Sequence, residues 1–197
     1  MNTDKQATST SDHEPIALTD AHHAALNRRR RIVVQYDASD LFDLDFQQWL
    51  AYRFEYIDEP DSQIDSVWWD IGMGDWAVYP SQVLEPYRRA GLMRWREQGI
   101  DWVRELVTAC KERNLEVFWN HRFSEVDIMP EGGLEMQKVH PLKVAHPDWV
   151  IRSWWWQGLW NLAVPDVWDY KLRILRELAE NYDFDGIQID FARHMPC

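Results

Sequence analysis

Four short runs of β-favouring apolar residues, each closing on a polar side chain, restrict this chain to very few architectures. Ile32-Val33-Val34-Gln35-Tyr36 ends at Asp37, and Ser66-Val67-Trp68-Trp69 ends at Asp70. Leu115-Glu116-Val117-Phe118-Trp119 ends at Asn120-His121-Arg122, and Gly186-Ile187-Gln188-Ile189 ends at Asp190. Runs of this length, rich in β-branched and aromatic residues, read as buried strands. The stretches between them carry helical spacing, so the order is βαβαβαβ. That order predicts parallel pairing with right-handed crossovers. In such sheets, ligands meet the carboxyl ends of the strands, where all four polar groups fall.

The helical stretches have legible limits. Phe42, Phe46, Trp49, Leu50 and Phe54 recur at spacings near four. Ile100, Val103, Leu106, Val107 and Cys110 line one helix face, which should stop near Arg113 with Asn114 as a left-handed terminator. Pro165 suits the first turn of a last helix, with Asp166 and Asp169 near its positive end. Val167, Tyr170, Ile174, Leu175 and Leu178 form its buried face, and Asn181 to Asp185 break it. Two long loops remain: one after Asp70 with Gly72, Gly74, Trp76, Tyr79 and Pro80, the other from Phe123 to about Val164, holding Trp154, Trp155 and Trp156. Residues 1–30 are polar and aperiodic and read as a flexible leader, with the strands in 31–197.

Composition removes several functions. With 33 acidic against 21 basic residues the net charge is −12, which argues against a nucleic-acid partner. No apolar run has the roughly 20 residues of a membrane helix, so no membrane partner is expected. Met1 to Asp20 lacks a signal-type apolar stretch, which points to the cytoplasm. Cys110 and Cys197 make no disulfide framework. No G-x-G-x-x-G follows Tyr36, no G-K-[ST] occurs, and no G-x-S-x-G elbow exists, so neither a nucleotide cofactor nor a serine nucleophile is expected. His121 and His194 fall at strand ends, but without H-x-H or H-E-x-x-H spacing no metal site is assigned.

The last segment reads Asn161-Leu162-Ala163-Val164-Pro165-Asp166-Val167, then a helix, then Tyr182-Asp183-Phe184-Asp185-Gly186-Ile187-Gln188-Ile189-Asp190-Phe191-Ala192-Arg193-His194. It resembles the fourth-strand region of glycoside-hydrolase-like (β/α)8 barrels and is similar to the glycosyl hydrolase-like family 10 group. Leu115 to Arg122 resembles that group's third strand, and Gly72 to Ser81 its loop after strand two. A more distant similarity is to α-amylase-type barrels, where a strand-four Asp is followed by a basic residue and His, as Asp190, Arg193 and His194 stand here. Gln188 departs from that pattern, which has Arg two positions before the Asp. The resemblance implies a carbohydrate substrate and acid/base hydrolysis of glycosidic bonds.

Such hydrolysis uses two carboxyl groups. Asp190 is the expected one of the pair, held beside a cation such as Arg193 or Arg122. Asp37 and Asp70 are expected to bind substrate or to be structural. Asn120 and Arg122, with Arg193 and His194, are expected to hold sugar hydroxyls, or anionic groups of an acidic sugar. With 13 Trp in the chain, Trp69, Trp119 and Trp160 are expected to stack on sugar faces, whereas Trp102 and Trp168 are expected in the core.

A full barrel takes about 250 residues for eight units. Here there are four strands, so the expected fold is a partial TIM barrel: the N-terminal half, truncated after strand four. Open strand edges imply self-association or a fragment with weak or no activity. Two other functions stay open: a non-catalytic carbohydrate-binding relative and a metal-dependent hydrolase.

Overall fold

A computed structural model describes residues 17–30, 32–38, 42–72, 74–123, 139–152 and 158–191. In chain order the elements are α1 (Asp20–Asn27), β1 (Val33–Asp37), α2 (Phe46–Phe54), β2 (Ser66–Gly72), β3 (Trp76–Ala77), β4 (Glu85–Pro86), α3 (Ala90–Glu97) and α4 (Trp102–Glu112). β5 (Glu116–Arg122), α5 (Pro141–Ala145), β6 (Val150–Ile151), β7 (Leu159–Trp160), α6 (Pro165–Asn181) and β8 (Gly186–Asp190) follow. The four long strands form one sheet in the order β1-β2-β5-β8, and every pair in it is parallel. This is an α/β fold of the partial TIM-barrel kind.

Local chemistry sets the element ends. The Asp45 and Asp101 carboxylates accept from Gln47 N and Arg104 N and cap α2 and α4. Asn114 takes φ 57 just beyond α4, the left-handed turn that the sequence predicts. Pro165 opens α6. Asp185 fixes the entry to β8: its carboxylate accepts from Val117 N at 2.8 Å and from Lys111 Nζ at 2.9 Å.

Three differences from the sequence reading stand out. Within the polar leader, Asp20–Asn27 is a helix, closed at its start by a Thr19–His22 capping box. It has no buried residue and no apolar stripe, so periodicity gave no sign of it. The crossover between β2 and β5 contains two helices; α3 buries only Gly91, Leu92 and Trp95. The long loop after β5 carries α5 and the short β6–β7 hairpin; Trp154, Trp155, Trp156 and Cys197 lie outside the described residues.

The core lies between the sheet and its helices and is mostly aromatic. Phe42, Phe46, Trp49, Trp95 and Trp102 form one cluster with centroid separations of 5.2 to 6.5 Å, most of them edge-to-face. Cys110 is buried beside it, and burial pushes its thiol up to about 12. Trp168, expected in the core, is 41% exposed, its ring 6.3 Å from that of Phe123 just after β5.

Gly91 makes the α3 contact possible: a Cβ there would overlap the Phe42 carbonyl. Arg94 locks that same backbone, donating to Phe42 O at 3.2 Å and Leu44 O at 2.7 Å. Gly91→Ala should therefore destabilise the fold by about 1–3 kcal/mol from overpacking, outweighing the roughly 1 kcal/mol gain in helix propensity. A urea midpoint equal to or above that of the parent would contradict this.

Candidate functional site

Strand register decides which side chains share the site. Asp37 pairs with Asp70, Asp70 with Asn120, and Asn120 with Gln188, so these four line up across the sheet. Arg122 pairs with Asp190 one step nearer the carboxyl edge. Side chains alternate along a strand, so all six lie on the face turned away from the helices.

Arg122 organises this edge. Its Nε donates to Asp70 Oδ1 at 2.8 Å and its Nη2 to Asp70 Oδ2 at 2.8 Å, a two-pronged pair. The same Nη2 reaches Asp37 Oδ2 at 3.1 Å. The Arg122 and Asp70 side chains are 5% and 7% exposed, but that of Asp37 is 52% exposed. Arg53 supports β1 from α2: its Nη1 donates to Asp37 O at 3.5 Å, and its guanidinium lies 4.9 Å from the Trp49 ring centroid. Asp190 is partly exposed, and its carbonyl accepts from Phe123 N at 3.0 Å.

Asn120 is fully buried, yet neither Nδ2 nor Oδ1 has a hydrogen-bond partner. The Oε1 of Gln188, its neighbour across β5 and β8, is also buried and unpartnered. An unsatisfied buried polar group costs about 1–3 kcal/mol, so these two carboxamides mark a place the fold alone does not satisfy.

The tryptophan expectations need correcting. Trp69 and Trp119 are 0% and 1% exposed and sit on the helix side. Their indole N–H groups donate to Cys110 Sγ and His121 Nδ1, both at 3.3 Å. Each directly precedes a residue of the site face, so alternation sends it to the other face. Trp160, 4% exposed, donates to Asp75 Oδ2 at 2.6 Å and is also core. The ring that parity does place on the site face is Trp68, stacked on Phe118 at 4.6 Å; the sequence reading passed over it. Arg193 and His194 lie outside the described residues.

A second polar cluster sits on the helix side. Lys171 Nζ donates to Asp75 Oδ1 at 2.5 Å, and Lys143 Nζ to Gly158 O at 3.2 Å. Burial would raise the Asp75 carboxyl, but Lys171, His140 and Lys143 outweigh it and hold it below the usual carboxylate range. His121 falls here, not among the strand-end carboxylates. Burial first, and the Lys171 charge second, bring its imidazole down to about 3, so it is neutral at ordinary pH. Among the described residues no group of three or more His, Cys, Asp or Glu is placed to hold a metal ion. Nor is any helix there long and apolar enough to cross a membrane.

A parallel sheet with its acids, amides and one buried guanidinium gathered at the carboxyl edge defines an α/β protein of the TIM-barrel class with a polar strand-end site. The chain belongs to the family Glycosyl hydrolase-like 10, which it matches over residues 33–195. Among solved structures it is similar to a hypothetical protein from Ruminiclostridium thermocellum ATCC 27405, at 16% identity and a TM-score of 0.52. The similarity covers 83% of this chain and 78% of that one, and it supports the fold. No curated protein matches.

Removing Arg122 would leave Asp70 buried without its counter-charge. Arg122→Ala is expected to cost about 3–5 kcal/mol, read as a lower urea midpoint; a loss under about 1 kcal/mol would mean the pair is not structural. His121 generates a pH dependence. The unfolded imidazole protonates near 6.5, the folded one only near 3. Between those values the unfolded chain binds more protons, so stability falls as pH drops, by up to about 1.4 kcal/mol per unit. His121→Gln should flatten that slope, and an unchanged slope would rule His121 out as its source.

Proposed function

We propose that the strand-end edge binds a carbohydrate, and that Asp190 is one of the two carboxyl groups of a glycoside-hydrolase-like site. The family supports a hydrolase-like role, and the observation that carries the reading is the alignment of Asp37, Asp70, Asn120 and Gln188 with Arg122 and Asp190. Among the described residues Asp190 is the strand-end acid of β8, in register with Arg122.

On this reading Asp37 and Asp70 are binding or structural groups and not the second carboxyl. Neighbouring strands are about 4.8 Å apart. Asp70 is two strands and a two-residue stagger from Asp190, roughly 12 Å between Cα atoms, and Asp37 is farther. Paired glycosidase carboxyls stand about 5–9.5 Å apart. Asp70 is also committed to Arg122. On this reading the partner acid is a group other than Asp37 and Asp70. The four strands by themselves favour a second reading, a carbohydrate-binding surface without turnover.

Turnover and binding across a panel of neutral and acidic oligosaccharides separate these. If Asp190 is catalytic, Asp190→Asn lowers kcat by about 10²–10⁴-fold with binding kept. Binding without any turnover in the parent protein supports the second reading, and turnover unaffected by Asp190→Asn overturns the first.

A further inference from the structure

We propose that Asn120 and Gln188 form a paired-carboxamide seat for the hydroxyl groups of an uncharged saccharide, and that this edge discriminates against acidic sugars. The inference rests on reading the edge as a carbohydrate site, and it names the substrate class. Three observations carry it. Asn120 is fully buried on the site face with its carboxamide wholly unpartnered, and Gln188 Oε1, beside it in register, is unpartnered too. The unmatched inventory is then the two N–H bonds of Asn120 Nδ2 and the acceptor oxygens Asn120 Oδ1 and Gln188 Oε1. A ligand that satisfies it must both donate and accept at this spot, which O–H groups do and a carboxylate or phosphate, acceptor-only, does not. The Asn120 carboxamide offers both kinds of group whichever way it is flipped.

Charge agrees with the hydrogen-bond count. Among the described residues Arg122 is the cation of this strand-end face, but both prongs of its fork are turned to Asp70, and Nη2 also meets Asp37. Across the strand pair stands Asp190. Among the described residues the face therefore presents three carboxylates around one guanidinium. An anionic sugar entering it meets repulsion, not a vacant cation. This narrows the sequence expectation, in which Arg122 was open to acidic groups.

The same observation separates binding from a merely structural role. A buried amide that serves the fold weakens it when removed. One kept for a ligand is a cost to the unliganded protein, so replacing it by an apolar side chain of similar size raises stability. Asn120→Val in the full chain is expected to raise the melting temperature of the unliganded protein by about 2–4 °C. It is also expected to weaken binding of neutral oligosaccharides at least tenfold by calorimetry. Gln188→Ala, on the half-exposed edge strand, should weaken the same binding with the melting temperature little changed, and it carries the test if Asn120→Val does not fold. Parent protein that prefers neutral oligosaccharides to uronate-containing ones supports the proposal. Uronate oligosaccharides bound equally or more tightly, or neutral binding unaffected in both variants, would overturn it and leave the carbohydrate reading standing. No binding of either class by the parent would overturn both.

Discussion

One guanidinium holds the site edge together. Arg122 sits on β5, yet its fork closes on Asp70 of β2 and reaches Asp37 of β1, so three strand ends depend on a single side chain. Such a charge is tolerated out of water only because both prongs meet carboxylate oxygens in good geometry. A lysine would supply the charge but not the planar fork, and one of the contacts would go. Asp70, its side chain 7% exposed, is the buried counter-ion of this guanidinium.

The aromatic excess belongs to the opposite face. Phe42, Phe46, Trp49, Trp95 and Trp102 fill the space between α2, α3, α4 and the sheet with tilted rings, which few other side chains do with so little conformational freedom to lose. Within this cluster Trp102 donates to Val78 O at 2.6 Å, whereas the buried Trp95 N–H has no partner among the described residues; outside it, Trp160 donates to Asp75. Packing thus accounts for most of the tryptophans among the described residues. Of these, strand parity puts Trp68 on the site face.

The strand set and its order were legible because short buried β-branched runs alternating with helical periods leave little choice but a parallel sheet. Asp37, Asp70, Asn120, Arg122 and Asp190 were legible as an edge because each closes such a run. Trp69 and Trp119 were misread although the signal was present: a residue next to a site-facing one has the other face. Gln188 was seen only as a departure from a family pattern, and its pairing with Asn120 needs the register. Asp75, Lys143 and Lys171 were not legible. They come from three segments that only tertiary contact unites, and Lys171 lies on an otherwise ordinary helix face. The α1 helix was hidden by its lack of any apolar stripe.

The two polar clusters stand on opposite faces of the same strand ends, and their environments divide the labour. Behind the sheet, Asp75 is held charged by Lys171 and tied to Trp160, so the loop after β2 is pinned to α6 and β7. His121, neutral and sealed, ends β5 on that side without adding a second cation beside Lys171. That rigid backing fixes where Asn120 and Arg122, its neighbours on β5, must point. On the front, burial and pairing have withdrawn Asp70 from exchange with solvent, and Asp37 is held at the far strand. Asp190 stands on β8, in register with Arg122, at the end of the strand order β1-β2-β5-β8. If the proposed reading holds, its reactivity is set by what meets that side of β8, and recognition by the amides beside it.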